Sequence, residues 1–487
     1  MTRPTVRFLS DELLERIVAE AREVLGQLGV EIHNPDVMSM LADHGGSVQG
    51  HRVRLGGDLV DTALRTVPRT FALYDVLGRR TNDFSGDSVH FTPGSAAIAV
   101  LDHGNPTARP PTTKDYVEYV KVTANLTNLA SQSTAIVPSD VPEKISDSYR
   151  LFLSLLLGEK PVVTGAFTLE AFDVMRDLLL AVRGSREALK AKPLAVLSCC
   201  PTAPLKWSDV TSQNVVDCAK HSIPVEYVSM PLSGFVAPVT LVGSLVQHTA
   251  ETLSGIVISQ LTTPGTPALY GGSPAAFDIR FETTPMGAVE TMMIDCAYNE
   301  IGKYLGLPTQ AYMALSDAKL LDAQCGLETS MGATLAALAG INNVSGPGML
   351  DFESCFSLEK LVLDNEICGL ALRLARGIEP REDFPALPHF EELLREQHLL
   401  IADHTRRYLR EEHYLPGPVI DRANRSRWEQ DGSSRLGDRA HDEVQRLLDA
   451  YSPSSLSEDS KRDLVNLMTA TARRHGMDAL PGEALPT

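Results

Sequence analysis

Apolar residues recur along the chain in two rhythms. Near the N-terminus Leu13, Leu14, Ile17, Val18 and Val24 follow the three-to-four spacing of an amphipathic helix, opened by Ser10-Asp11-Glu12 and ending near Gly29. Asn34-Pro35 supplies an N-cap and a first-turn proline for a second helix. Thr70–Val76 and Ser88–Phe91 read as strands, and His103-Gly104-Asn105-Pro106 reads as a turn. Beyond this the pattern becomes regular. Short apolar segments stand at His90–Thr92, Ser131–Val137, Pro161–Ala166, Leu194–Cys200, Val225–Met230, Ala268–Gly271, Gln310–Leu315 and Asn342–Ser345. After the first they recur roughly every 30 to 45 residues, the length of a βα unit. Helical segments lie between them, among them Thr168–Val182, Leu241–Leu261, Ala288–Leu305 and Leu320–Ala339.

Eight such units in series predict an α/β fold of the closed (β/α)8 TIM-barrel type. No GxGxxG or GxxxxGK[ST] signature follows a strand, so neither dinucleotide nor P-loop chemistry gains support. The expected organisation is an N-terminal α/β cap over residues 1–86, a catalytic barrel over 87–376 and a C-terminal helical extension over 377–487. In the extension, helices are expected from Phe390 to Arg410 and from Arg439 to Tyr451, with a loose tail from residue 478.

Composition narrows the partners. The formal net charge of −18 disfavours nucleic acid and anionic membrane faces. No apolar run approaches the roughly 20 residues of a membrane span, and nothing after Met1 resembles a signal peptide, so a cytoplasmic protein is expected. The seven cysteines, an odd number without CxxC spacing, read as reduced thiols. Neither they nor the histidines show metal-ligand spacing, and no bound metal is expected.

In such a barrel the chemistry sits at the C-terminal strand ends. Here those ends carry Pro93-Gly94-Ser95, Pro138-Ser139-Asp140, Pro201-Thr202-Ala203-Pro204, Gly271-Gly272-Ser273, Ser316-Asp317-Ala318-Lys319 and Ser345-Gly346-Pro347-Gly348. The densest stretch runs from Ser316 to Glu328. A helix beginning near Leu320 sets Gln324 and Glu328 four apart on one face, with Asp317 and Lys319 in the loop above the barrel. Helix capping and surface pairing would account for the same residues taken singly. A second stretch, Gly346 to Glu353, is followed by a helix whose apolar run is broken by Asp364-Asn365-Glu366.

Ser316-Asp317-Ala318-Lys319 with Asp322, Gln324 and Glu328, then Gly346–Phe352 and Leu363-Asp364-Asn365-Glu366-Ile367, resemble the trimethylamine methyltransferase family. Asp403-His404-Thr405, Asp421-Arg422, Trp428 and His475-Gly476-Met477-Asp478 are similar too, so the resemblance runs over nearly the whole chain. It implies a barrel mouth that receives a small corrinoid-binding protein. The methyl group passes from an amine to cob(I)alamin on that partner, giving methylcobalamin, and the enzyme is expected to be a homo-oligomer. Glu328 matches an acidic group near the amine, with Asp317 and Asp322 as the other catalytic candidates. Trimethylamine-specific members carry pyrrolysine near the last barrel strands, whereas every residue here is standard. A quaternary ammonium is already cationic and needs no activation to leave, so a betaine, glycine betaine foremost, is the favoured donor. Its ammonium requires an aromatic or acidic surround, where each cation–π contact contributes about 0.5–2 kcal/mol. Phe91, Tyr227, Tyr270 and Phe352 are the aromatic candidates, with Gly272, Ser273, Gln324 and Ser345 around them. Lys319 or Arg280 would meet the carboxylate. Two other readings stand beside this one: methyl transfer to tetrahydrofolate or another carrier, and a non-catalytic protein that binds quaternary amines.

Overall fold

A computed structural model describes residues 3–484. Its centre is a ring of eight short parallel strands: β1 His90–Thr92, β2 Gln132–Ser133, β3 Val162–Gly165, β4 Ala195–Cys199, β5 Val225–Ser229, β6 Ala268–Gly272, β7 Gln310–Tyr312 and β8 Asn343–Ser345. One ladder joins β2 through β6 in order, and a second joins β7, β8 and β1. Parallel bridges at Phe91↔Leu129 and Tyr270↔Thr309 close the two gaps. The eight expected strands are all present, and the barrel is complete.

A helix follows each strand: α1 Thr113–Ala124, α2 Ser146–Leu157, α3 Leu169–Arg183, α4 Asp209–His221, α5 Leu241–Thr262, α6 Val289–Tyr304, α7 Ala323–Ala339 and α8 Leu358–Ala375. Their starts are chemically marked. Thr168, Ser208, Thr240, Asp322 and Ser357 each accept a backbone N–H of the first turn through their side-chain oxygens, satisfying donors that a helix end leaves open. α5 is buried along most of its length because the N-terminal helices Asp11–Gln27 and Gly57–Thr66 pack over it.

The N-terminal end of the barrel is sealed. A hairpin of Phe71–Tyr74 and Arg80–Phe84 puts Leu73, Phe84 and Phe71 against Val196 of β4 and Leu269 of β6. Asn82 donates to Ser131 Oγ at 2.9 Å, and the Phe84 ring meets His90 edge-on at 5.6 Å.

The C-terminal region departs from expectation in two places. The single helix expected over Phe390–Arg410 is two, Leu387–Glu396 and Asp403–Glu412, because Gln397 turns left-handed at the end of the first. The tail is packed as far as it is described: Leu480 and Ala484 are buried, and Gly482–Ala484 forms a 3-10 turn against α1. Residues 485–487 lie outside the described residues. Helices Leu436–Asp449 and Glu458–Arg474 pack on α8 and α1, and on α2 and α3, respectively. Among the described residues no helix is long and apolar enough to cross a membrane.

Candidate active site

The barrel interior carries a polar network that begins with one misfit in an apolar strand. Val225-Glu226-Tyr227-Val228 places a carboxyl in fully buried β5. Ser198 Oγ on β4 donates to Glu226 Oε1 at 2.6 Å, and Asn343 Nδ2 on β8 donates to Oε2 at 3.2 Å. β5 and β8 lie across the barrel from each other, so this second bond shows Glu226 pointing into the lumen. Thr92 Oγ1 of β1 completes the chain, donating to Asn343 Oδ1 at 3.0 Å.

Above this layer stands Glu353, delivered by the loop after β8. Asp351, Phe352 and Glu353 all have left-handed backbones, with φ of 50°, 56° and 69°. Such conformations cost side-chain-bearing residues about 1–3 kcal/mol each and persist only where surrounding structure imposes them. The Glu353 carboxylate accepts from the Ser95 amide at 3.5 Å. Burial raises the phenol of Tyr312 on β7, and the nearby Glu226, Glu353 and Cys200 add to the rise. Gln310 Nε2 and Ser345 Oγ, also on barrel strands, are buried without a hydrogen-bond partner.

Burial controls the titration of this group. It pushes the Glu226 carboxyl up to about 7, against the lowering effect of Ser198 and Asn343. It pushes Glu353 up to about 8, opposed by the Ser95 amide and reinforced by charge on Glu226. Cys200 is raised to about 12, chiefly by burial, which leaves it an unreactive thiol. A buried acid such as Glu226, near neutrality in its own titration, favours a cationic guest: an ammonium beside it restores the stabilisation of charge that burial removes.

The residues singled out from the sequence fall into three groups. Ser345 faces the interior, in register with Thr92. Gly272 and Ser273 sit at the end of β6, where the Gly272 amide donates to Gln310 Oε1 at 3.2 Å and the Ser273 amide to the Ser229 carbonyl at 2.9 Å.

The second group forms the rim. Glu328 Oε2 accepts from Ser316 Oγ at 2.7 Å and from the Asp317 amide at 2.8 Å, while Oε1 accepts from Gln324 Nε2 at 2.9 Å. Asp317 accepts from the amides of Met286 and Gly287 at 3.0 and 2.8 Å. Burial raises Asp317 to about 6, with Glu328 adding to the rise. A Cβ on Gly287 would come within 2.7 Å of the Glu328 carboxyl carbon, so only glycine lets the two loops close this tightly. Asp322 is the N-cap of α7, holding the amides of Gln324 and Cys325. Lys319 Nζ lies 3.8 Å above the Phe352 ring and 3.0 Å from Asp351, so its charge is already partnered. Arg280 is likewise paired with Asp278.

The third group is a correction. Phe91, Tyr227 and Tyr270 are not at the mouth; all three are fully buried on the helix side of their strands. The Tyr227 ring packs against Gly255 of α5 and the Trp207 ring, and Tyr270 donates to Thr249 of α5 at 3.0 Å. Phe91 alternates with the inward-facing His90 and Thr92. Sequence reasoning passed over Glu226, Glu353 and Tyr312. A lone acid within the apolar run Val225–Met230 was the available clue for Glu226.

The two ends of the barrel differ in surface as well. On the loops after the strands, Ile98, Phe167, Phe235, Ile279, Phe281 and Leu320 are all exposed, and Phe235 stacks on Phe277 at 4.9 Å. These loops ring the mouth with apolar surface, of the kind that marks a protein-binding face.

Residues 1–476 match the family described as trimethylamine methyltransferase. The trimethylamine methyltransferase of Methanosarcina barkeri is 30% identical, over 94% of this chain and 93% of its own length. That of Desulfitobacterium hafniense is 27% identical over 96% and 94%. A glycine betaine methyltransferase of Desulfitobacterium hafniense strain Y51 is also 27% identical, over 94% and 95%. The crystal structure of the Methanosarcina barkeri monomethylamine methyltransferase shares the fold, with a TM-score of 0.51 at 12% identity, over 92% of this chain and 89% of that one.

Proposed function

The chain belongs to the trimethylamine methyltransferase family and is a methyltransferase, and from that premise we propose that it demethylates a small quaternary amine of the betaine type, glycine betaine foremost, passing the methyl group to cob(I)alamin on a separate corrinoid protein. The carrying observation is the pair of acids, fully buried Glu226 and half-buried Glu353, facing the lumen beneath an open apolar rim. Glu226, the more acidic of the two, ionises first and meets the ammonium. Glu353 keeps its proton to higher pH and donates it in a hydrogen bond to the betaine carboxylate, a charge-assisted contact. Two acids held at different titration points thus suit a zwitterion.

In the transfer, the N–CH3 bond breaks with its electron pair staying on nitrogen, and the methyl carbon bonds to the nucleophilic cobalt. The donor leaves as a neutral tertiary amine, so no proton is needed at nitrogen. This chain's part is to hold the ammonium in line with the mouth and to exclude water, positioning that contributes several kcal/mol. Asp317, Asp322 and Glu328 hold the β7–α7 loop at the rim, and Lys319 and Phe352 sit beside the entrance. The apolar rim is the surface the corrinoid protein would cover.

The test supplies cob(I)alamin and follows methylcobalamin absorbance with glycine betaine, proline betaine, carnitine and trimethylamine in parallel. Methylation from at least one betaine and none from trimethylamine is expected. Turnover of trimethylamine with every betaine inert overturns the proposal.

A further inference from the structure

Away from the barrel interior, three ligand-type side chains from distant segments meet where the C-terminal region crosses the barrel rim. His103 lies between β1 and α1, in the turn after the short strand Ala99–Val100, Glu359 in the first turn of α8, and His441 on helix Leu436–Asp449. One ring nitrogen of each histidine and one Glu359 oxygen all fall within 4.8 Å of one another. His441 Nδ1 is 2.9 Å from Glu359 Oε1, and the two imidazoles stack with centroids 4.4 Å apart at 16°.

A hydrogen bond alone accounts for His441 and Glu359 but leaves His103 unexplained. Its nearest carboxylate, Asp438, is 3.7 Å from Nε2, beyond hydrogen-bond reach. The environment is built: Ser357 Oγ donates to Glu359 Oε2 at 3.1 Å and orients the carboxylate, as an outer-shell partner does in metal sites. The trio also borders a cavity of about 690 Å³ between helix Leu436–Asp449 and α1, which gives an ion an entry path and room for water.

We propose that His103, Glu359 and His441 bind one divalent transition-metal ion of the zinc type, with water completing its coordination on the cavity side, and that this ion fastens helix Leu436–Asp449 to the barrel rim. Two imidazoles and a carboxylate are a donor set zinc accepts, with bonds of about 2.0–2.2 Å and an open fourth position. Bonds of that length set ligand atoms about 3.3–3.5 Å apart, so closing the trio asks for side-chain shifts on the order of an ångström. The expectation from sequence was no metal, because the three residues stand far apart in the chain and only the fold brings them together.

The test uses the full chain, stripped with a chelator, dialysed, and titrated with zinc against a chromophoric competitor. Cobalt(II) substitution is followed by its visible absorption. About one zinc per chain, a thermal midpoint raised by zinc and returned by EDTA, and a tetrahedral or five-coordinate cobalt spectrum are expected. His103→Ala combined with His441→Gln should keep the far-ultraviolet circular dichroism and lose at least about tenfold in zinc affinity. Failure of the wild-type chain to bind zinc saturably overturns the proposal. So does unchanged affinity in the double variant, which would assign the zinc to another set of residues.

Discussion

The same barrel holds one carboxyl pair at its rim and another in its interior, and they differ in how completely their oxygens are occupied. Asp317 and Glu328, at the rim, have every oxygen engaged by backbone amides, a serine hydroxyl or a glutamine amide. Glu226 and Glu353, in the interior, have two side-chain donors and one long amide contact between them. The rim pair is in effect finished: its hydrogen bonds fix the loops after β6 and β7 in one arrangement. The interior pair is under-satisfied and raised to about 7 and 8, so it gains when a cation arrives. Acids perturbed in this way by burial cluster at functional sites.

The comparison breaks most visibly at Glu226. Glu226→Gln keeps the shape and removes the charge, and methyl transfer should fall by about 10²–10³-fold, the loss typical of removing one preorganised electrostatic contact. The same variant should be more stable than wild type at pH 8.5. The sign follows from linkage: the folded chain holds the Glu226 proton up to about 7, whereas the unfolded chain releases it near 4.5. Stability therefore falls as pH rises between those values, and above them the cost reaches a few kcal/mol at most, on the order of 1.4 kcal/mol per pK unit. Thermal unfolding and methylcobalamin formation on one preparation read both effects. Retained activity would return the search to the rim pair.

The second expectation is a pH dependence of substrate binding. A quaternary ammonium favours ionised Glu226, so binding should release a proton there and tighten as pH rises. Affinity should grow several-fold, up to about tenfold, from pH 6 as Glu226 ionises, then fall as Glu353 loses the proton it gives to the carboxylate. Calorimetry in buffers of differing ionisation enthalpy measures the released protons directly. A flat profile, with no proton release, would separate the interior pair from cation binding.

How much of this was legible beforehand depends on which face of a strand a residue occupies. The eight strands, the barrel and most helix starts follow from period and capping chemistry, and Asn34 stands as an N-cap where its residue type suggests; α7, expected to begin near Leu320, begins instead at Ala323 because Asp322 caps it. The direction of Tyr227 and Tyr270 does not follow. A barrel strand is buried on both faces, so apolar residues line lumen and helix sides alike and alternation carries no information. A tyrosine hydroxyl suits a site as well as it suits the Ser- and Thr-rich α5, where Tyr270 finds Thr249. Glu226 was legible in principle, since a lone acid in such a strand must face something polar. Glu353 was not, because its placement depends on three consecutive left-handed residues that no local preference favours.

The rim pair sharpens the contrast from the other side. Glu328→Gln replaces an acceptor oxygen with a donor facing Ser316, the Asp317 amide or Gln324, so part of the network is lost. A destabilisation of about 0.5–1.5 kcal/mol is expected, as for the loss of a partly buried hydrogen bond. Transfer at a temperature where the variant is folded should fall less than in Glu226→Gln. A loss of transfer equal to that of Glu226→Gln, without destabilisation, would make Glu328 part of the chemistry and erase the distinction between the pairs.

The smallest effect on transfer belongs to Asp322, which tests whether the rim acts only through structure. Its side chain accepts the Gln324 and Cys325 amides at 2.9 and 3.2 Å and starts α7, the helix that carries both Gln324 and Glu328. Asp322→Ala removes that cap, and caps of this kind contribute about 0.5–2 kcal/mol. Asp322→Asn keeps an acceptor oxygen in the same place and removes the charge, so it should restore most of the stability. If the rim only holds loops in place, methyl transfer should track stability in both variants: slightly reduced in the alanine, near wild type in the asparagine. A charge near the donor ammonium behaves otherwise. It would leave the asparagine variant stable but slow, with the fall appearing in substrate affinity and shrinking as salt is raised. Thermal melts and transfer rates for the two variants, at low and high ionic strength, therefore separate a helix cap from a contributor to cation binding.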